Sequence, residues 1–225
     1  MSLQSQILAF NQDSSSSLDS LDALLQTRLP YSLPLLRRIQ QARARGLLTP
    51  QARVVFVSEN DIATSAAHAG DESVKFTATY VDVSFGPETQ MWLFSTLEAD
   101  EDEANSAAAD EDLYRSHLDA IISSISGLAR IYGQPLTYGH AVLLGSLHTS
   151  IRKLLGDKIS GRATGFYDKW LFRGEDLPEA DGGDLEGGMV WDVPGESDLE
   201  LAVSRTDIPR TPLVMPFVPE SGCIS

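Results

Sequence analysis

Residues Phe76 to Glu98 constrain this chain more than any other stretch. They read Phe-Thr-Ala-Thr-Tyr-Val-Asp-Val-Ser, then Phe-Gly-Pro-Glu-Thr, then Gln-Met-Trp-Leu-Phe-Ser-Thr-Leu-Glu. Two runs rich in β-branched and aromatic residues flank Gly86-Pro87, which predicts an antiparallel hairpin at the centre of a sheet. An acidic run without glycine follows Glu98. The point where a strand gives way to a helix is where many α/β folds place their ligand, so this junction carries the question of function.

The remaining elements are read around that hairpin. Leu3 to Phe10 is expected to form a short edge strand, followed by a polar linker. A helix is expected to start with Ser17 as its cap, with Asp19 and Asp22 in the first turn and Leu18, Leu21, Leu24 and Leu25 as its apolar stripe. Pro30 ends it. A second helix is predicted from Leu33 to Arg45, with Leu35, Leu36 and Ile39 inward and Arg37, Arg38, Arg43 and Arg45 on the wet side, stopped by Gly46. Ala52 to Ser58 reads as a buried strand, and the small, polar Glu59 to Ser73 as a loop. After the acidic segment a long helix is expected from Leu113 to Tyr132, with Leu113, His117, Leu118, Ile121, Ile122, Ile125, Leu128 and Ala129 facing inward. Then come a short strand (His140 to Leu144), a short helix (Leu147 to Leu155) closed by Gly156, and a last strand from Ala163 to Phe172.

Charge and cysteine content remove several classes of function. The chain has 225 residues and a formal charge of −15, which repels a phosphate backbone and argues against nucleic acid as a partner. Glu98 to Asp112 holds eight acidic residues and no basic one, and Glu175 to Glu200 holds ten and no basic one. Both read as solvated segments. Cys223 is the only cysteine, which excludes an internal disulfide and argues against a cysteine-built zinc site. No apolar run reaches the roughly 18 residues that a membrane span requires. The expectation is a cytoplasmic protein with no membrane partner.

Several phrases then carry a likeness. Leu29-Pro30-Tyr31-Ser32-Leu33-Pro34-Leu35-Leu36-Arg37-Arg38, Tyr80-Val81-Asp82 with Gly86-Pro87-Glu88-Thr89-Gln90, and Gly145-Ser146-Leu147-His148 resemble the N-terminal half of fungal proteins in the GNAT acyl-CoA N-acyltransferase superfamily. Phe166-Tyr167-Asp168-Lys169-Trp170 and Ser204-Arg205-Thr206-Asp207-Ile208-Pro209-Arg210 do so as well. These relatives have two parts and are similar in layout to glycine N-acyltransferases. The resemblance implies an α/β (α+β) fold whose GNAT-like, largely antiparallel central sheet is flanked by helices. It also implies acyl transfer to a small-molecule amine, as in fungal secondary metabolism. The GNAT-like N-terminal domain is expected over residues 1–174. Residues 175–225 are expected to be an acidic, glycine-rich linker and a proline-rich tail, the start of a missing catalytic half.

The likeness breaks down at the cofactor. GNAT enzymes hold the pyrophosphate of coenzyme A on a Gln/Arg-x-x-Gly-x-Gly/Ala loop that opens the helix after the fourth strand. Here that place is taken by Thr96 to Asp112, which has no glycine and eight carboxylates. The expectation is that this chain binds no cofactor by itself, with acyl-CoA a co-substrate only once the missing half is restored, so that the truncated chain is weak or inactive alone. Candidate catalytic residues are Glu88, His140, His148 and Tyr167 as base or acid. Trp92, with Glu88 and Tyr167, is expected to line a substrate pocket between the hairpin and the 163–172 strand. The plainer reading of His148 is a cap, of His117 a satisfied core histidine, and of Trp92, Trp170 and Trp191 packing. A Ser146, His148 and Asp168 triad lacks the Gly-x-Ser-x-Gly elbow. A different class of function also fits: a non-catalytic module that binds a protein partner through an open sheet edge or its proline-rich tail.

Overall fold

The chain divides into two compact units, residues 1–165 and 166–225. The computed structural model describes residues 3–44, 49–71, 73–98, 107–132, 143–144 and 147–156 of the first, and 197, 200, 201, 204 and 205 of the second. In the second unit Ser204 Oγ donates to the Leu201 carbonyl at 2.8 Å within a helical turn. The predicted 163–172 strand, Arg45 and Gly46 lie outside the described residues.

The first unit is a five-stranded sheet in the order β1 (Gln4–Ala9), β2 (Ala52–Ser58), β3 (Phe76–Asp82), β4 (Gln90–Ser95), β5 (Leu143–Leu144). The first four strands are antiparallel. Parallel pairing joins β4 to β5 through Gln90↔Leu143 and Met91↔Leu144. This is the mixed, largely antiparallel sheet expected of an acyl-CoA N-acyltransferase-like fold. The predicted hairpin is β3 and β4, but its connection is a run of 3-10 helix over Val83–Glu88 rather than a tight turn.

Strand alternation sends side chains to two separate cores. On one face Ala52, Val54, Phe56, Phe76, Ala78, Tyr80 and Phe94 pack against α1 (Ser15–Thr27) and α2 (Leu33–Ala44). On the other, Val55, Val57, Val81, Met91 and Leu93 pack against α4 (Ala107–Tyr132) and α5 (Thr149–Leu155). Because both faces of the central strands are covered, every residue of β3 is buried. That is why the centre of β2, Val54 to Val57, reads as a continuous apolar run.

The helix stripes fall where their periodicity puts them. Leu18, Leu21, Leu24 and Leu25 of α1 and Leu35, Leu36 and Ile39 of α2 are buried, each worth about 1.5–3 kcal/mol of transfer free energy. Ser32 Oγ donates to the Leu25 carbonyl and ties the start of α2 to the end of α1.

Some boundaries and faces differ from expectation. Helix α1 begins at Ser15 rather than after Ser17, behind a 3-10 turn (Gln12–Ser14), because Asn11 Oδ1 already accepts the Ser14 N–H at 3.1 Å. The predicted loop from Glu59 to Ser73 contains α3 (Ile62–Ala67). Asp61 caps it by accepting the Thr64 N–H at 2.7 Å, and the Ile62 N–H donates to Gln6 Oε1 on β1 at 2.8 Å. Helix α4 starts at Ala107, ahead of the predicted Leu113, so Asp110, Glu111 and Asp112 are helical and sit near its positive end. Ile122 is exposed instead of inward, and Tyr114 takes an inner position.

The arginines of α2 do not form a uniform wet stripe. Arg43 pairs with Asp19 at 2.8 Å and Asp22 at 3.1 Å. The guanidinium of Arg38 lies over two aromatic rings, 4.3 Å from the centre of Trp92 and 4.9 Å from that of Tyr80.

Candidate functional site at the strand to helix junction

Strand β4 ends at Ser95 and continues as one turn of 3-10 helix, Thr96–Glu98; the next described residues open α4. The polar side chains of the hairpin collect here. Thr77 and Ser95 face each other in the β3–β4 register, and their hydroxyls are 3.0 Å apart. Thr77 Oγ1 is 3.2 Å from His117 Nδ1 on α4. Thr96 Oγ1 accepts the Phe76 N–H at 3.1 Å, lies 3.2 Å from the Phe76 carbonyl, and is 2.7 Å from the Tyr114 hydroxyl. All five of these side chains are buried.

Glu98 closes the turn. It is 6% exposed, and its Oε1 accepts the Ser95 N–H at 3.1 Å. The Leu97 N–H is 3.4 Å from Ser95 Oγ. Two backbone donors at the end of β4 are therefore taken by side chains of the same turn, and neither is left facing outward for an anion. A phosphate-binding turn works the other way, by presenting such N–H groups to the ligand.

His117 is fully buried with its Nε2 unpartnered among the described residues, and its ring meets Tyr114 edge to face at 5.5 Å. Burial alone pushes its pKa down from 6.5 to about 4, since a charged imidazolium loses its hydration there. It is neutral at pH 7. Chemically, this junction holds three hydroxyls, a phenol, a neutral imidazole and a carboxylate, all of them on buried residues. Ser95 and His117 are both fully buried, and the cluster fastens the end of the hairpin to α4.

The proposed site residues are placed as follows. His148 is the N-cap of α5: its Nδ1 accepts the Ser150 N–H at 3.4 Å and lies 2.6 Å from Ser150 Oγ. Gly156 ends that helix at φ +47°, a conformation that strains any residue with a Cβ. Trp92 is half-buried on the α1/α2 face, edge to face with Tyr80 at 6.0 Å and beneath Arg38. Burial raises the Tyr80 phenol above its usual pKa, and the Arg38 charge offsets part of that rise. Helix α5 packs on the opposite sheet face, so the sheet separates His148 from Trp92.

Glu88 ends the 3-10 connection, but its side chain, like His140, Ser146, Tyr167, Asp168, Trp170 and Trp191, lies outside the described residues. Sequence reasoning missed Thr96, Tyr114 and Glu98 as one unit. Tyr114 is three residues before His117 on the same helical stripe, and that spacing was the available signal. Among the described residues, no group of three His, Cys, Asp or Glu is placed to hold a metal ion. No helix among them is long and apolar enough to cross a membrane.

Comparison with known families agrees with this architecture. The family model described as "Acyl-CoA N-acyltransferase verG N-terminal domain" matches residues 4–170, about three quarters of the chain. No curated protein and no solved structure matches.

Proposed function

The chain belongs to the family of acyl-CoA N-acyltransferase verG N-terminal domains, and from that premise we propose that it serves acyl transfer to a small-molecule amine as the acceptor-side scaffold. In this reading the pyrophosphate of acyl-CoA is held by residues other than Thr96 to Asp112. The chain alone is weak or inactive.

The acceptor class follows from N-acyl transfer, in which an uncharged amine nitrogen attacks the thioester carbonyl and coenzyme A leaves as the thiolate. The observation that carries the reading is the closed turn after β4. The Ser95 and Leu97 N–H groups are engaged by Glu98 and Ser95, and the sequence that follows adds carboxylates where a diphosphate would need donors.

Calorimetric titration of the 225-residue chain with acetyl-CoA tests this. The expected result is no saturable heat at micromolar concentrations. Micromolar binding that is weakened by substitutions between Thr96 and Asp112 overturns the placement.

A further inference from the structure

Away from the junction, the sheet ends at β1, which pairs with β2 on one side and with no other strand among the described residues. We propose that a second copy of this chain occupies that edge. In this pairing β1 lies antiparallel to β1 of the partner about a twofold axis, and the two α4 helices run side by side on one face of the joined sheet. Nothing in it depends on the acyl-transfer reading.

The edge lacks the devices that keep strands apart. An exposed edge strand is ordinarily blunted by a charge, a proline or a bulge, each of which discourages another strand from adding to it. Leu3 to Phe10 contains no Asp, Glu, Lys, Arg or Pro, and the whole of Gln4–Ala9 pairs with β2 in unbroken register. Ile7 is 47% exposed. It lies on the α4 face with Ser5, since their partners Val55 and Val57 pack against that helix.

Helix α4 continues this surface. Ser124 Oγ is 3.2 Å from Ser5 Oγ, and Tyr132 at the helix end bonds to Arg53, the cross-strand partner of Ala9. The helix therefore runs beside β1, and Ile7 falls between those two contacts. Helical period puts Ala120, Gly127 and Ile131 on the flank that carries Ser124. Ile131 is 76% exposed. Gly127 sits well inside a helix of 26 residues, where alanine holds the backbone better, and a Cβ added there meets nothing within 4 Å. No contact inside the chain calls for glycine at this point, whereas close passage of a second helix does.

Charge selects the partner. The chain carries −15 in all, yet neither β1 nor these four flank residues is charged. A cationic partner finds no carboxylate on this face, and a second copy finds no like charge. Around the face the charge is polar along α4. Asp112 and Asp119 are exposed toward its start and Arg130 near its end, while Arg115 turns to α5 and donates to the Leu154 carbonyl at 3.2 Å. Antiparallel copies direct the Arg130 end of each helix toward the Asp119 end of the other. Parallel copies would bring like ends together.

Symmetry then narrows the register. The twofold axis is perpendicular to the joined sheet and keeps each face on its own side, so directly opposed residues are both odd-numbered or both even-numbered. Ile7 opposite the partner's Ile7 satisfies this rule and joins the two exposed side chains beneath the α4 flanks.

Sedimentation velocity of the 225-residue chain is the test. One strand and one helix flank make a small interface, so the protein is measured at about 100 μM, in roughly 0.15 M salt to screen the net charge. The expected species is a dimer of the 24.5 kDa chain. Ile7→Lys places two ammonium groups at the axis, and Gly127→Gln fills the space between the helices. Each should weaken dimerisation about tenfold or more. Because Gly127 faces open space within its own chain, Gly127→Gln should melt at or above the wild-type temperature in dilute solution, and it decides the matter if Ile7→Lys does not fold. A wild-type monomer at the stated concentration, which would leave the edge to another occupant, overturns the pairing. So does a dimer that survives either substitution in a folded variant, or a Gly127→Gln chain that melts below the wild type.

Discussion

Between pH 7 and pH 5 the burial of His117 should make this fold weaker on acidification, and the size of the effect follows from that burial. In the folded chain burial lowers the pKa of His117 from 6.5 to about 4, whereas in the unfolded chain the ring is solvated and keeps its ordinary value. The unfolded state therefore binds the proton more tightly. Stability from this group is complete above pH 6.5, falls as pH drops through that value, and levels off below about pH 4. At 1.36 kcal/mol per pH unit within the window, the loss between pH 7 and pH 5 is about 2 kcal/mol. His117→Phe supplies the reference. It keeps an aromatic ring against Tyr114 and removes the unpartnered Nε2, and Thr77 retains Ser95 Oγ at 3.0 Å as a partner. Urea unfolding followed by far-ultraviolet circular dichroism at pH 7, 6 and 5 measures the difference between the two proteins, cancelling the carboxylates they share. Wild type should lose about 2 kcal/mol more than the variant. Parallel curves that agree to within about 0.5 kcal/mol would show that His117 is hydrated in the fold and that the burial argument fails.

Two further substitutions probe other parts of the molecule. Thr96→Val keeps the shape but takes the acceptor from the Phe76 N–H and a partner from the Tyr114 hydroxyl; it should cost about 2–3 kcal/mol in urea unfolding with an unchanged m-value, and a loss under about 0.5 kcal/mol would count against the network. Arg43→Met breaks the pairs with Asp19 and Asp22 between α1 and α2. Burial outweighs Arg43 at Asp22 and raises that carboxyl's pKa, and Asp19 is largely exposed, so the loss should be about 1 kcal/mol and should shrink when unfolding is repeated in 1 M salt.

The parts of the fold that were legible are those in which one face of an element is uniformly apolar. The four leucines of α1 and the aromatic hairpin needed no knowledge of their neighbours, because period and side-chain shape alone decide them. Helix α3 was hidden because Ile62 is its only large apolar residue; its sole marks are Asp61 and Thr64, the cap and the donor it accepts. The start of α4 was masked by an acidic run that reads as solvated loop, although acidic residues near a helix N-terminus favour the helix. Arg38 illustrates a different limit. Its helix position predicts a wet side chain, and only the packing of α2 against β4 brings Trp92 beneath it.

The junction depended on register, which sequence alone did not supply. Residues directly opposite share a face, so pairing Thr77 with Ser95 and Thr79 with Leu93 sends the small hydroxyls toward α4, where His117 and Tyr114 wait, and sends Phe76, Tyr80 and Phe94 toward α1 and α2. A slip of one residue would reverse both sets, burying rings against the polar end of α4 and hydroxyls in the leucine core. The 3-10 turn that follows β4 brings Glu98 back onto the Ser95 N–H. The first of the eight carboxylates after β4 is thus a structural acceptor, not a solvated charge. The case against a diphosphate at this turn then stands first on occupied backbone donors, which salt does not screen, and only second on the repulsion of the charges that follow.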